Sequence, residues 1–584
     1  MILKNKIPLR IISKITWSFF FIGSVFFSAC KTGAKSVQSN NVTPTGASII
    51  QGRKVFENSC SSCHNFDSNG IGPSLASLSR SLSNEAIMAF ISNPKKVIES
   101  GDTRAVALEK KYKTVMPSYF VLGKDKISSL VAYINTYKDV EKPFEGDEEG
   151  LIEDPIPAKI EPSNFLVNLE FAFQIPASNS EFPYTRITKL VGLPNIGAKF
   201  VNDINGKLYR IDNNVPKVYM DMKALMPEFK QKPGWATGFG NFAFHPDFEN
   251  NGLLYTTHAE APNTKKADYS LPEGGITSQL QWVVQEWKTN NPNEETFKGN
   301  NRELFRIDMA TAAHGMQNID FNPTAVKGDP DYGNLYIGIG DGGASGRYSP
   351  EVFSGKHAPW GSILRINPGL NNSTNGMYGI PSDNPFVNIK GEKAVKELYA
   401  NGFRNPHRFS WSKEGKMIVA NIGQHNIESV YVVRPGANHG WPLREGSFGI
   451  NTQQSMHKLY ELTTSDKQDG ITYPTLEYDH DEGSAVCGGF VYTGADMPSL
   501  AGKYIFGDIL KGRLFYAEES EMMAGKAIDF KEMRVAFKGI ETNILELSNS
   551  GHAKLRIGQD ANGNMYLFSM NDGKVYRFQS ETTL

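Results

Sequence analysis

The chain has 584 residues, 40 % of them hydrophobic and 21 % charged, with 35 Phe, 23 Tyr and 7 Trp, which is ample material for a large core and excludes general disorder. Its 61 basic and 62 acidic side chains give a formal net charge of −1, excluding the electrostatic footprint of a nucleic-acid binder and leaving small molecules or proteins as partners. Only Cys30, Cys60, Cys63 and Cys487 occur, far too few for a disulfide-stapled scaffold.

Residues 1–14 carry Lys4, Lys6, Arg10 and Lys14 without an acid, and residues 15–29 are apolar or small up to Ser28-Ala29-Cys30. This is the layout of an export signal, and the apolar run is shorter than the roughly 20 residues a membrane-spanning helix needs. The small pair before Cys30 resembles a bacterial lipobox, in which the cysteine is diacylated and becomes the mature N-terminus. An ordinary cleaved signal and a retained helix are the alternatives. Residues 31–47 have the Ser, Asn, Thr and Gly content of a flexible tether. The expected location is the bacterial cell envelope, facing the periplasm, with a lipid anchor holding the chain to a membrane.

Cys60-Ser61-Ser62-Cys63-His64 follows. Two thiols at this spacing can add to the two vinyl groups of haem c while the adjacent histidine takes the iron. Composition alone predicts roughly 0.0005 such patterns in the chain. A disulfide or a zinc knuckle is the rival, but zinc needs further ligands, and the next histidine is His245. For the second axial ligand, Met88 and Met116 are the available thioethers before the acidic stretch. Met88 sits among alternating apolar residues, where a methionine is ordinary packing, whereas Met116 precedes Pro117 in a non-helical loop. An opening helix is expected over 49–58 with Ser48 as its cap, and Ile127, Leu130, Val131 and Ile134 predict a closing amphipathic helix. Residues 48–142 resemble a class I cytochrome c through Gly52, Val55, Phe56, the attachment site, Gly72-Pro73-Ser74-Leu75 and Met116-Pro117.

Residues 143–164 are dense in acid and proline and read as a solvated linker; the acidic cluster 145–149 lacks the ordered spacing of a calcium loop. Beyond it a short strand led by glycine recurs at Gly206, Gly252, Gly333, Gly415, Gly502 and Gly563. The mean spacing of about 71 residues suits four strands and their loops per repeat. The fold expected for 165–584 is therefore an all-β six-bladed β-propeller, preceded by the small all-α cytochrome domain, with a different β architecture as the alternative.

Several segments of this region resemble the soluble quinoprotein glucose and sorbosone dehydrogenases: 238–247 (GFGNFAFHPD), 314–323 (HGMQNIDFNP), 338–343 (GIGDGG), 402–407 (GFRNPH), 421–424 (NIGQ), 438–442 (NHGWP) and 506–514 (FGDILKGRL). The resemblance implies a calcium-dependent propeller with pyrroloquinoline quinone at the mouth of its channel. It implies His314 as general base, which suits removal of a hydroxyl proton during sugar oxidation, and Asp341 as the acid orienting it. Arg404 and Asn405 match the pair at the quinone carbonyls, and Lys511 and Arg556 match cations for its carboxylates. Gly423 and Gln424 occupy the turn whose backbone carbonyls hold the calcium. The sequence departs from the pattern at Ala313, Gln424 and Met570, and Ala236 or Thr237 stands where a substrate-binding glutamine is expected.

The implied activity is oxidation of a sugar or related alcohol or aldehyde, with electrons passing through haem c to a downstream respiratory or soluble acceptor. A calcium-dependent lactonase-like hydrolase leaves the haem without a use. A non-catalytic carbohydrate-binding propeller beside an electron carrier is the other rival, and loss of His314, Arg404 or Lys511 would have favoured it. Cys487 is expected to be an inert buried thiol within a strand.

Overall fold

The computed structural model describes residues 46–60, 64, 66, 72–112, 115–138 and 152–583, with interruptions at 194, 233–235, 273–275, 346–352, 390–393, 453–454, 463–469, 549 and 551. Cys30, Cys63, the apolar run 15–29 and the acidic cluster 145–149 lie outside the described residues. Among those described, no helix is long and apolar enough to cross a membrane.

The first helix runs Gly46–Ser59, so Ser48 lies inside its first turn and does not cap it. The closing helix Gly123–Ile134 buries Ile127, Leu130, Val131 and Ile134, the four residues its period selects. These two helices cross where Gly52 meets Ser129: a Cβ on Gly52 would stand 1.9 Å from the Ser129 carbonyl oxygen. Val55, Phe56, Phe66 and Ile87 complete this small core, and both Met88 and Met116 pack against it. Met88 belongs to the helix Asn84–Ser92, whereas Met116 lies in a non-helical segment.

The rest of the chain is β-sheet. Each of the six recurrent glycines precedes a strand, namely Lys207–Asp212, Leu253–Glu260, Leu335–Ile339, Met417–Asn421, Lys503–Gly507 and Met565–Ser569. All six have positive φ, from 66° at Gly252 to 112° at Gly206, so the repeat marks the tight turn that starts each strand. Four-stranded antiparallel sheets are built from 239–309, 318–401 and 406–479, and a 13-stranded sheet joins most of the remaining strands. The inner strands of successive sheets lie side by side. Phe239–Phe244 packs on Asn318–Phe321, that on Pro406–Trp411, that on Phe490–Val491, and that on Leu555–Gln559. Leu555–Gln559 pairs with Ile187–Leu193 at Val191 and Gln559, and Ala198–Asp203 packs back on Phe239–Phe244.

The expected linker is shorter than its composition suggests. The strand Pro162–Gln174 begins inside it and pairs on one side with the chain's last strand, Lys574–Thr583, and on the other with Lys531–Phe537. Ile152 and Ile156 pack beside Trp441 and Leu459, and Ile160 packs under the sheet formed with Phe506 and Phe515. Lys159 pairs with Asp481 and with Glu482. An isoleucine every fourth residue supplies an apolar edge that the surrounding acids and prolines disguise.

Gly52→Ala should overpack the helix crossing and destabilise the helical domain by about 1–3 kcal/mol. Thermal unfolding followed by haem absorbance reads this, and an unchanged midpoint would mean that the helices do not meet at Gly52.

Candidate active site and haem site

His314 lies in the turn between Gly299–Met309 and Asn318–Phe321 with a φ of 49°. A left-handed non-glycine residue is strained, and such strain persists where neighbours over-determine it. Gly340 is one such neighbour, since a Cβ there would stand 2.4 Å from the His314 carbonyl oxygen. Asp341, just beyond the strand Leu335–Ile339, sets its Oδ1 2.7 Å from His314 Nδ1. The same oxygen accepts from Gly343 N at 2.8 Å, and Oδ2 accepts from Trp441 Nε1 at 3.2 Å. Burial works to raise the Asp341 pKa, but His314 and Arg404 outweigh it and hold the carboxyl below its usual range. Asp341 is therefore an acceptor, which puts the proton on His314 Nδ1 and leaves Nε2 with its lone pair. Burial and then the Arg404 charge push the His314 pKa below 6.5, with Asp341 opposing. The ring keeps 17 % of its side-chain surface exposed.

Arg404 is tied to the turn that follows Met417–Asn421. Its Nε donates to Gln424 Oε1 at 2.7 Å, and Nη1 donates to the Gly423 carbonyl. Its guanidinium lies 6.0 Å from the centre of the Trp441 ring. The turn is held from behind by Glu445, whose Oε1 accepts the backbone N–H groups of Gln424, His425, Asn426 and Ile427 at 2.7 to 3.1 Å. With those N–H groups drawn to Glu445, the Gly423 carbonyl faces Arg404. Gln424 contributes its side-chain oxygen there, where the expectation named its backbone carbonyl. Oxygen donors suit a hard cation, and Arg404 takes up two of them. Asn405 is buried, and its side-chain amide has no hydrogen-bond partner among the described residues.

The resemblance implies two further cations. Lys511 sits on a turn fixed by Asp508, which accepts from Leu510 N and Lys511 N; its Nζ donates to the Asp481 carbonyl at 2.7 Å. Arg556 is buried, donates Nη1 to Leu555 O at 2.7 Å, and has a buried Nε without a partner among the described residues. Burial pushes its pKa down to about 10. Arg408, which sequence reasoning overlooked, spans from its strand to the Thr188 carbonyl at 3.0 Å and to the Gln317 carbonyl. Burial, then the Arg556 charge, pushes it down to about 9. Among the described residues no carboxylate pairs with Arg408 or Arg556. Buried cations without acid partners are costly, and the orphaned Arg556 Nε is a donor suited to an anionic group such as a quinone carboxylate.

In the helical domain, His64 N donates to the Cys60 carbonyl, and His64 Nδ1 lies 2.8 Å from the Pro73 carbonyl oxygen. That bond leaves Nε2 to an iron, the arrangement by which an outer partner fixes a histidine ligand. Burial lowers the His64 pKa against the Pro73 bond, so the ring is a neutral donor. A Cβ on Gly72 would stand 2.3 Å from His64 Cε1. Cys60 directly follows the first helix and is half-buried. These residues fit haem c.

Trp441, Glu445 and Arg408 were missed. Trp441 stands within the quoted NHGWP segment, while Glu445 and Arg408 carry no local signal, because their work is done on turns and strands distant in sequence. Cys487 is buried, with its pKa pushed up to about 12 by burial, but it precedes the strand Phe490–Val491 and is not part of it. His245 accepts from Asp247 N at 3.0 Å in its turn, and His480 meets Glu428 at 3.2 Å.

If neutral His314 is the working form, turnover should persist as pH falls through 6.5 and fail only below it, because burial and Arg404 keep the proton off. Arg404→Gln removes that repulsion and should move the acid limb upward. A pH–rate profile measures both; a wild-type limb at or above 6.5 would contradict the assignment. Gly340→Ala should lower turnover by displacing His314 while leaving the haem spectrum intact.

Comparison with known proteins follows the same division. The pattern of the Glucose / Sorbosone dehydrogenase family matches residues 187–576, and that of Cytochrome c matches 49–138. The chain is 26 % identical over 386 residues to HIPL1 protein of Arabidopsis thaliana, covering 58 % of this chain and 52 % of that protein. It is 26 % identical over 251 residues to Quinoprotein glucose dehydrogenase B of Acinetobacter calcoaceticus, covering 41 % and 46 %. The chain thus spans about half the length of the curated relatives it matches. The solved soluble Aldose sugar dehydrogenase from Escherichia coli superposes with a TM-score of 0.48 at 16 % identity, over 72 % of this chain and 100 % of that one. The chain belongs to the Glucose / Sorbosone dehydrogenase family and carries a cytochrome c domain ahead of its dehydrogenase domain.

Proposed function

We propose that the protein is a quinohaemoprotein dehydrogenase that oxidises a sugar or related alcohol or aldehyde with pyrroloquinoline quinone and delivers the electrons through haem c to an external acceptor. The observation that carries this reading is the 2.7 Å bond between His314 and a buried Asp341 beside Arg404. It leaves a neutral imidazole nitrogen free to take a hydroxyl proton, while Asp341 stabilises the imidazolium that results. Arg404, Asn405, Lys511 and Arg556 are the residues that would hold the quinone, and the Gly423 and Gln424 oxygens would hold calcium once Arg404 releases them. When bound, the quinone supplies a two-electron acceptor. Arg404 would offset negative charge on it, and Trp441 holds Asp341 in place for the histidine. Cys60, Cys63, His64 and Met116 would hold the haem.

We further propose a six-bladed propeller, a grouping supported by the side-by-side packing of inner strands from successive sheets. A lipid anchor at Cys30 and a periplasm-facing location remain our proposals from the N-terminal sequence, and intact-mass analysis of the mature N-terminus reads the acylation. The lactonase-like reading gives no role to His64 and its Pro73 bond. The non-catalytic reading gives none to the His314–Asp341 pair.

His314→Ala should bind quinone within about twofold of wild type yet lose turnover by about a hundredfold or more, the usual share of a general base. Quinone titration by absorbance and anaerobic reduction by a panel of aldoses and alcohols measure the two. Near-normal turnover with saturating quinone would transfer the role elsewhere.

A further inference from the structure

Among the described residues, the helical domain meets the β body through Tyr112, Tyr119 and Lys126. The Tyr112 ring meets His425 edge-on, with centroids 6.1 Å apart, and His425 belongs to the turn that holds Arg404. The Tyr119 ring meets His552 at 5.9 Å, and His552 precedes Arg556 on the segment whose Ala553 N donates to the Leu510 carbonyl, beside Lys511. Lys126 Nζ lies 3.2 Å from Glu181 Oε2 on the segment ahead of Ile187–Leu193. The surface presented at the second contact is the one that carries the haem ligands. Tyr119 follows Met116 by three residues, and its hydroxyl donates to Ser59 O at 2.7 Å, next to Cys60. His314 keeps part of its ring exposed.

We propose that His552 is a positioning residue for electron exit: through Tyr119 it seats the cytochrome, haem face inward, over the His425–Lys511–Arg556 half of the mouth and leaves the His314 half open to substrate. This rests on the redox reading given above. Each substrate oxidised releases two electrons and two protons. Iron passing from ferric to ferrous takes one electron, so two passes clear one substrate, with a one-electron acceptor reoxidising the iron after each. The first proton goes to His314, and both leave to solvent on the open half. Substrate and electrons thus use different edges of one site, and the cytochrome stays seated through turnover.

Two measurements on the haem- and quinone-loaded full chain test this. Lys126 and Glu181 are accessible, at 38 % and 58 % side-chain exposure, so a zero-length carbodiimide should join them, and peptide mass spectrometry should find that pair. Failure to couple them, or coupling of Lys126 mainly to carboxylates on the His314 half, would overturn the docking whether or not any substrate is known. In stopped flow, His552→Ala should slow haem reduction by about tenfold or more, the scale of a small misplacement, with substrate-driven bleaching of the quinone and the haem spectrum unchanged. Haem reduction at the wild-type rate would overturn the positioning role. Absence of quinone bleaching in the wild-type protein would instead defeat the dehydrogenase reading, leaving the cross-link to decide the docking. Should His552→Ala not fold, Tyr112→Ala at the His425 contact carries the same expectation.

Discussion

Strands that converge on an axis bring backbone carbonyls to a place where no neighbouring strand can satisfy them, and this protein answers with buried cations. Lys189 Nζ donates to the Phe242 and Ile319 carbonyls at 2.9 and 3.0 Å, to Asn241 Oδ1 at 3.2 Å and to Asp320 at 2.8 Å. Arg408 does the same for Thr188 and Gln317. Each ties several sheets through one side chain. Buried carbonyls need donors, and a long cationic side chain reaches more of them than a neutral one can. The cost is positive charge held out of water. Asp320 offsets it for Lys189, whereas among the described residues no carboxylate does so for Arg408 or its neighbour Arg556.

That imbalance links fold to chemistry. A buried guanidinium such as Arg556, whose Nε has no partner among the described residues, favours an anion, and the proposed tricarboxylate quinone would meet Arg556 and Lys511. Arg404 also acts on the proposed base: it adds to burial in keeping His314 neutral, while Asp341, held ionised by its hydrogen bond from His314 and by Arg404, fixes its tautomer. The acid–base poise of the pair is therefore set by the same kind of charge that holds the sheets together. Loss of a structural arginine should be felt in the pH dependence as well as in stability.

Much of this was legible in the sequence because the features are local. The haem attachment residues, the periodic Ile127–Ile134 face and the six glycine-led strands each declare themselves within a few residues. His314 and Asp341 were legible through the family resemblance, and the structure brings them into contact. Glu445 could not be read, since it acts on four backbone N–H groups some twenty positions away, and Arg408 looked like any strand arginine. The packed isoleucines of 152–160 were hidden by acids and prolines that dominate the local composition. The contacts between the helical domain and the β body were illegible for a similar reason: Tyr112, Tyr119 and Lys126 carry no periodic signal, and their partners lie from 55 to more than 400 residues on.

The central claim is that one chain both oxidises the substrate and takes up its electrons. Stopped-flow absorbance of the quinone- and haem-loaded protein, mixed with substrate at successive dilutions, tests it most directly. Our account predicts quinone bleaching followed by haem reduction with a rate constant independent of protein concentration. A haem reduction rate that falls in proportion to protein concentration would mean transfer between molecules and would contradict it.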